Sequence, residues 1–387
     1  MQERCDIAIV GGGPVGLLLA CLLSQHGLDV RVLERRGAPR GHSRAVGIHP
    51  PGIACLAAAG AAEHVLATGV RVRRGYAFSD ARLLGKVSFA GLPGPYPFVL
   101  AVPQSETERA LEERLATLSP AALRRGHEVT SLEHTAQGAT LAVRRDAGEY
   151  VLEARFVVGC DGKRSQVRKA AGIGYPGGCY REHFAMVDVL DETPFGSDAV
   201  VFLARAGVVE SFPLPNAMRR WVVGLGSEEA DADASRVEQL VAERTGQLAR
   251  ASTATMVSSF MPEHYLADRM VHGSLVLAGD SAHVVSPIGG QGMSLGWLDA
   301  KLLADVLSAA LARAERAPNL LAEYERMRRR AARAAMRRAE LFMAIGQAQR
   351  MQSLRDLCVE TMLSTMLADH TAQVFAMKGL SSQPVVV

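Results

Sequence analysis

CDIAIVGGGPVGLLLACLLSQHGLDVRVLE, residues 5–34, decides the fold. Residues 5–10 form an apolar run of strand length, and LLLACLLSQHG reads as an apolar helix closed by Gly27. Between them, Gly11, Gly13 and Gly16 satisfy G-x-G-x-x-G. A second strand, Val30–Leu33, ends in Glu34, about 20 residues past the glycines. Alone, the glycine pattern is a weak signal. After a strand, at a helix start and ahead of an acid, it is the dinucleotide fingerprint: a tight turn, close approach to a pyrophosphate, and tight helix–strand packing. Glu34 suits an adenosine ribose and disfavours a 2′-phosphate, which predicts bound FAD or NAD rather than NADP. The plainer alternative is a βαβ unit that binds no nucleotide.

The design recurs in VHGSLVLAGDSAHVVSPIGGQGMSLGWLDA, residues 271–300. Ser274–Ala278 reads as a short buried strand that ends at Gly279-Asp280, leaving a carboxylate at the sheet edge. A loop with Pro287, Gly289, Gly290 and Gly292 follows. Past it, Leu295, Leu298, Leu302, Leu303 and Val306 take helical spacing. Glycines let amides approach a ligand, and a helix start carries partial positive charge. The acid suits a hydroxyl-rich chain and the amides an anion or polarised carbonyl, and a flavin dinucleotide presents both. A third such unit is FVVGCDGKRSQVRKAAGI, residues 156–173, with Asp161-Gly162 and Arg168. The plainer reading of Asp161 alone is the N-cap of the next helix.

Residues 41–52, GHSRAVGIHPPG, form a loop before a helix at about 53–67. Arg44 is expected at a phosphate or the flavin. His49 is by default a structural loop histidine, with a catalytic part as the minority reading. Short strands follow over 70–100, then a helix Ser105–Leu118 and strands near 127–134, 139–145 and 150–158. Residues 174–268 change character: HFAMVDVL, DAVVFLARAGVVESFPL and RRWVVGLG alternate as strands, around one polar helix near 228–247. After 300 the chain turns helical. A basic run there (Arg326, Arg328, Arg329, Arg330, Arg333, Arg337, Arg338) reads as a solvated cationic face, with weak contact to an anionic membrane surface as the sharper alternative. The predicted class is α/β: a Rossmann-like FAD-binding domain with an inserted mostly β substrate domain and a C-terminal helical segment. Residues 1–72, 101–173 and 269–387 are expected to build the first, the last including the C-terminal helices. Residues 73–100 and 174–268 are expected to build the second.

Composition bounds the rest. With 387 residues, 48% hydrophobic and 21% charged, the chain is that of a globular protein of one or two domains. A net charge of +3 is too small to imply nucleic acid. Cys5, Cys21, Cys55, Cys160, Cys179 and Cys358 lie far apart with no C-x-x-C, which argues against zinc or a disulfide framework and fits a reducing cytoplasm. No apolar run reaches membrane-spanning length, and the first strand starts too early to leave room for a signal peptide. Monomer and homodimer are both compatible.

Together, GGGPVG with Glu34, CDGKRSQVR and GDSAHVVSPIGGQGMSLGWLDA resemble the flavin aromatic hydroxylases of the para-hydroxybenzoate hydroxylase type, in order and spacing. Arg44 in SRAVGIHP and Gln104 in VPQSETERAL share the likeness, which covers about 1–340. The resemblance implies that Gly11, Gly13, Val15 and Gly16 hold the pyrophosphate of FAD. It places Glu34 and Arg35 at the adenosine ribose, Arg44 and Gln104 at the phosphate and ribityl side, and the Val129 backbone on the adenine side. It gives Asp161 a part in closing the FAD site and in pyridine nucleotide binding, and Asp280 the ribityl or pyrophosphate groups. Pro287 falls near the reactive edge of the flavin, and amides around Gly290, Gly292 and Met293 face its pyrimidine end. Ser294 stands where the family usually has Asn. It can cap the helix but offers no amide donor. The chain also ends without the thioredoxin-like domain of the larger phenol and polyketide hydroxylases, as in the compact members of quinone and quinolone biosynthesis.

The implied activity is FAD-dependent monooxygenation. NAD(P)H reduces the flavin, O2 adds at its C4a atom, and an electron-rich aromatic small molecule of phenol, aniline or quinolone type attacks the terminal oxygen. No protein nucleophile is required. His49, His283 and Tyr180 are candidates for handling protons. Phe202, Phe212 and Trp221 are candidates for lining the substrate pocket, each equally readable as plain core. The principal alternative is a flavin-dependent reductase of an isoprenoid or quinone-type substrate. A halogenase would carry W-x-W-x-I-P, which this chain lacks, and a flavoprotein retaining FAD only as a structural subunit is a further reading.

Overall fold

The computed structural model describes residues 2–39, 45–135, 138–227, 229–347, 351–364 and 366–380. Gln2–Val10 lies at the centre of an eight-stranded sheet, parallel to Val30–Glu34 on one side and Gly148–Gly159 on the other. Leu123–Arg125 and Leu275–Leu277 extend this parallel core on opposite flanks, and Glu128–Thr135 and Gly138–Arg145 add an antiparallel meander. Parallel strands covered on both faces need side chains that are apolar throughout, and Ile7, Ile9, Val32, Val157, Val158 and Val276 are fully buried. Pro14–Gln25 packs against both Gln104–Leu118 and Gly292–Ala312 as part of this cover. All three glycine turns follow the carboxyl ends of parallel strands, at Val10, Gly159 and Leu277, where ligands bind in open α/β sheets.

A second sheet of seven strands runs in the order Met256–Phe260, His183–Leu190, Met218–Gly226, Gly207–Leu214, Ala199–Ala204, Arg74–Ser79, Arg82–Ser88. Every neighbouring pair is antiparallel except Ala199–Ala204 with Arg74–Ser79. Its outer face packs beneath the Ala234–Thr245 helix through Val187, Phe202, Val209, Trp221 and Val223. Its inner face roofs the glycine turns.

Three expectations need correction. The helix expected at 53–67 is two, Pro50–Ala59 and Ala62–Thr68, because Gly60 takes a left-handed φ of +76° and ends the first. The polar helix at 228–247 narrows to Ala234–Thr245, since the Asp233 side chain caps it by accepting the Arg236 N–H and Gly246 closes it. The basic run lies on Ala317–Gln347, but Arg328 is not on a solvated face: it is 1% exposed. Beyond that helix, Gln352–Met362 and Ala368–Phe375 pack along Arg82–Ser88. No helix among the described residues is long and apolar enough to cross a membrane.

Candidate active site

Backbone hydrogen bonds lock the three glycine turns to one another. Gly11 N–H donates to Leu33 O at 2.9 Å, Cys160 N–H to Val10 O at 2.8 Å, and Ala278 N–H to Gly159 O at 3.0 Å. Arg168 crosses between turns, donating to Ser281 O at 2.9 Å and Lys163 O at 2.7 Å while stacked 3.7 Å over the Tyr175 ring. Tyr175 in turn donates to Asp280 O at 2.7 Å. The fit demands glycine at two places. Gly11 has φ +108°, and a Cβ there would lie 2.4 Å from Cys160 O. A Cβ on Gly16 would lie 2.1 Å from Gly11 O.

The turns open into a cavity of about 910 Å³ beneath the roof sheet. Gly11, Gly13, Val15, Glu34, Arg35, Gln104, Val129, Asp161, Asp280, Pro287, Gly290, Gly292 and Met293 line it. Gly16 is buried behind the first turn, and Arg44 lies outside the described residues. Glu34 accepts the Gly12 N–H at 2.9 Å and both the N–H and Nε of Arg36, at 3.0 and 2.8 Å. Burial pushes its carboxyl up, but the Arg36 side chain and these amides outweigh that and hold it below the usual range. The Asp161 Oδ2 accepts the Gln166 N–H at 2.6 Å, so one oxygen does serve the next helix. Its Oδ1 is buried with no partner, and burial lifts the acid. Asp280 stands open to the cavity, and the protein packed around that cavity lifts its carboxyl too. Ahead of the Gly292–Ala312 helix, Gln291 is 2% exposed with both side-chain polar atoms unpartnered. A Cβ on Gly13 or Gly292 would meet nothing within 4 Å, so both backbones face open cleft.

Cavity-lining carboxylates, bare glycine backbone and a helix start fit a long ligand that carries hydroxyls and phosphates at one end and an electron-accepting ring at the other. The family model described as FAD binding domain matches residues 4–339. The 12-dehydrotetracycline 5-monooxygenase/anhydrotetracycline 6-monooxygenase of Streptomyces rimosus is 34% identical over 374 residues, 92% of this chain and 73% of that one. The chain belongs to the FAD-dependent aromatic hydroxylases. Among solved structures, the anhydrotetracycline hydroxylase OxyS of Streptomyces rimosus superposes with a TM-score of 0.82 at 31% identity, covering 100% of this chain and 78% of that one. The p-nitrophenol 4-monooxygenase PnpA of Pseudomonas putida gives 0.87 at 25% identity, covering 99% and 100%. This hydroxylase is therefore a flavoprotein monooxygenase that binds FAD, and the reductase alternative gives way.

In the hydroxylase, His49 lines the cavity as a brace. Its Nε2 lies 2.9 Å from Gly289 O. A carbonyl only accepts, so this nitrogen is assigned the hydrogen. Its backbone N–H donates to Ser294 Oγ at 3.2 Å. Ser294 therefore ties the helix to the 45–49 segment and does not cap it, the N-cap being Gln291. Burial pushes the His49 imidazole down to about 4, which keeps it neutral. His283 is not on the cavity wall. It is 2% exposed and its Nε2 lies 2.6 Å from Asp299 Oδ2. Asp299 also accepts the Gly279 N–H at 2.9 Å and Arg328 Nε at 2.5 Å, so this cluster anchors the Asp280 turn from behind. Tyr180 also lies off the cavity wall, its ring 4.8 Å from His264. It follows Gly177–Cys179, which pairs with Glu263–Leu266 and draws the ring to that side.

The three aromatic candidates divide by strand parity. Phe212 faces the cavity with Val208 and Glu210. Phe202 and Trp221 face the opposite side of the same sheet, under the Ala234–Thr245 helix, while Ala199, Val201 and Leu203, and Arg220 and Val222, take the cavity side. Sequence reasoning missed Arg36, signalled only by its place two residues past Glu34. It also missed Val359, Leu363 and Phe375, which reach the cavity from the C-terminal helices with no motif to mark them.

Proposed function

We propose that this hydroxylase places one oxygen atom of O2 on an electron-rich aromatic ring of phenol, aniline or quinolone type, with NAD(P)H as reductant. The observation that carries this reading is the roof: an apolar sheet face (Phe184, Met186, Val201, Phe212, Val222) set across the cavity from the Pro287–Met293 loop. An aromatic substrate is held by such a wall and kept from water. Bound FAD supplies the redox chemistry, taking electrons from reduced nicotinamide and delivering oxygen to the ring.

The chain's own residues supply binding and orientation. Gly11, Gly13 and Val15, with Gly16 packed behind, are assigned to the pyrophosphate, Glu34 and Arg35 to the adenosine ribose, and the Val129 strand to the adenine side. Gln104, Asp161 and Asp280 are assigned to the phosphate and ribityl span. The amides of Gly290, Gly292 and Met293 bring the positive helix end to the ring's electron-accepting edge, beside Pro287. His49 holds the Gly289 carbonyl through its Nε2–H and stays neutral, so no proton transfer is assigned to it. No second G-x-G-x-x-G fingerprint, with a strand before it and a helix after, occurs among the described residues. The nicotinamide is therefore assigned to the same cavity, where Arg164 and Lys169 line the wall and offer positive charge to its phosphates.

The test is oxygen uptake by the FAD-loaded protein with NADH or NADPH across phenols, anilines and quinolones, using isotopically labelled dioxygen. Stimulated uptake with one labelled oxygen in the product is expected. Turnover of a prenyl or quinone substrate without oxygen consumption would refute the reading.

A further inference from the structure

Among the described residues of the roof sheet, two carboxylic acids take the cavity-facing parity, Asp188 and Glu210, and of these Glu210 alone lines the cavity. The alternation of Gly207–Leu214 sends Val208, Glu210 and Phe212 inward, while Val209 joins the opposite core. Register sets Glu210 between Val201 and Val222, both apolar and both facing the cavity. Arg220 lies on the same face, but its Nε and an Nη hold Asp188 at 2.6 and 2.8 Å, both residues buried. Glu210 itself has no hydrogen-bond or ion-pair partner among the described residues. Glu210 is half-buried at the cavity wall, and desolvation by the apolar side chains around it pushes its acid up to about 7. An apolar wall gains nothing from an unpaired acid, because a polar group without a partner among apolar side chains is costly. A ligand that brings the missing partner turns that cost into selectivity.

We propose that Glu210 selects and orients the aromatic substrate, accepting a hydrogen bond from its phenolic hydroxyl or aryl amine and repelling aromatic carboxylates. The proposal rests on the aromatic hydroxylase reading and narrows its substrate class to rings with an uncharged donor substituent. A hydrogen bond from a ring hydroxyl to a carboxylate also enriches the ring in electrons, at the positions that oxidation requires.

The FAD-loaded protein is titrated above neutrality with 2-naphthol and with 2-naphthoate, following the flavin absorption band. The wild-type protein is expected to bind 2-naphthol at least about tenfold more tightly than 2-naphthoate, a difference of about 1.4 kcal/mol. Glu210→Gln keeps the size of the side chain and removes the charge. It is expected to narrow the ratio by gaining affinity for 2-naphthoate. Wild-type protein that binds the two alike, or prefers the carboxylate, overturns the proposal. So does a Glu210→Gln protein, still loaded with FAD, that keeps the wild-type ratio or loses both ligands equally, as a packing role requires. If the variant sheds FAD, the wild-type ratio decides. Failure of the hydroxylase reading is separately visible, as absence of oxygen uptake while the binding ratio persists.

Discussion

Replacing Arg328 by Met tests whether a buried ion pair behind the site, touching no ligand, sets up the flavin turn. Arg328 donates to Asp299 Oδ1 at 2.5 Å and to the carbonyls of Leu380 and Leu295 at 3.1 and 3.2 Å. Asp299 is fully buried, and its other oxygen receives His283 Nε2 and the Gly279 N–H. Met retains most of the apolar stem but strands the carboxylate. Removing one partner of a buried pair costs about 3–5 kcal/mol, and the lost hydrogen bonds to the two carbonyls add to that. Against a total stability of about 5–15 kcal/mol, the variant folds in the cold and fails early on heating or in urea. Burial pushes the Asp299 carboxyl up, but His283, Arg328 and the Gly279 amide outweigh it and hold the group below the usual range. A lowered carboxylate stabilises the fold above its unfolded pKa, and that contribution fades as pH falls through its folded value. Without Arg328 the fading begins at higher pH. Urea midpoints from circular dichroism at several pH values, with flavin fluorescence to report FAD release, measure both effects. A loss under about 1 kcal/mol with FAD retained would refute the reasoning. An Arg328→Met/Asp299→Leu pair should regain stability, since an apolar pair is often as good as a buried ionic one. It should not regain FAD affinity, because the Gly279 amide has lost its acceptor.

Further outcomes follow from the same geometry. Gly16→Ala places a methyl 2.1 Å from Gly11 O; the turn must open, so a loss of about 1–3 kcal/mol and of FAD on gel filtration is expected. Asp280→Ala removes a cavity-facing acid with little packing loss, so folded but FAD-poor protein is expected, and full flavin occupancy would undercut the role assigned to this turn. His49, pushed down to about 4, refuses a proton that the unfolded chain takes up near 6.5. Stability should therefore fall between those pH values as acid is added, by roughly 3 kcal/mol in all. His49→Asn should flatten that part of the stability curve.

The fingerprint turns were legible because each joins an apolar strand to a glycine bend whose function leaves a local trace, and the sheets followed from strand order. Phe202 and Trp221 were not placed because both faces of their strands carry large buried side chains, one under a helix and one over a cavity, and in the Trp221 strand Arg219 and Arg220 put one charge on each face. Period-two alternation then carries no contrast between inside and outside. Arg328 was hidden in a run of arginines, since a buried pair needs a partner from another helix and nothing in 326–338 points to Asp299. Glu210 did leave a trace, a lone acid in GVVESFPL, which gains meaning only once the face it occupies is known. Tyr180 and His283 sit near motif residues in the chain but turn away from the cavity in space.

The roof also constrains how the molecule is made. Among the described residues, its only parallel pairing begins at Gly75 and Ala199, about 120 residues apart along the chain. On a ribosome, the Arg74–Ser88 hairpin therefore emerges well before the strand that completes it, with Tyr76 and Phe78 beside an open edge. Unpaired edges of this kind invite pairing with other nascent chains. Fragments ending before Ala199 should accumulate as aggregates or chaperone clients, and yield in cells should depend on how quickly translation delivers the second half of the roof.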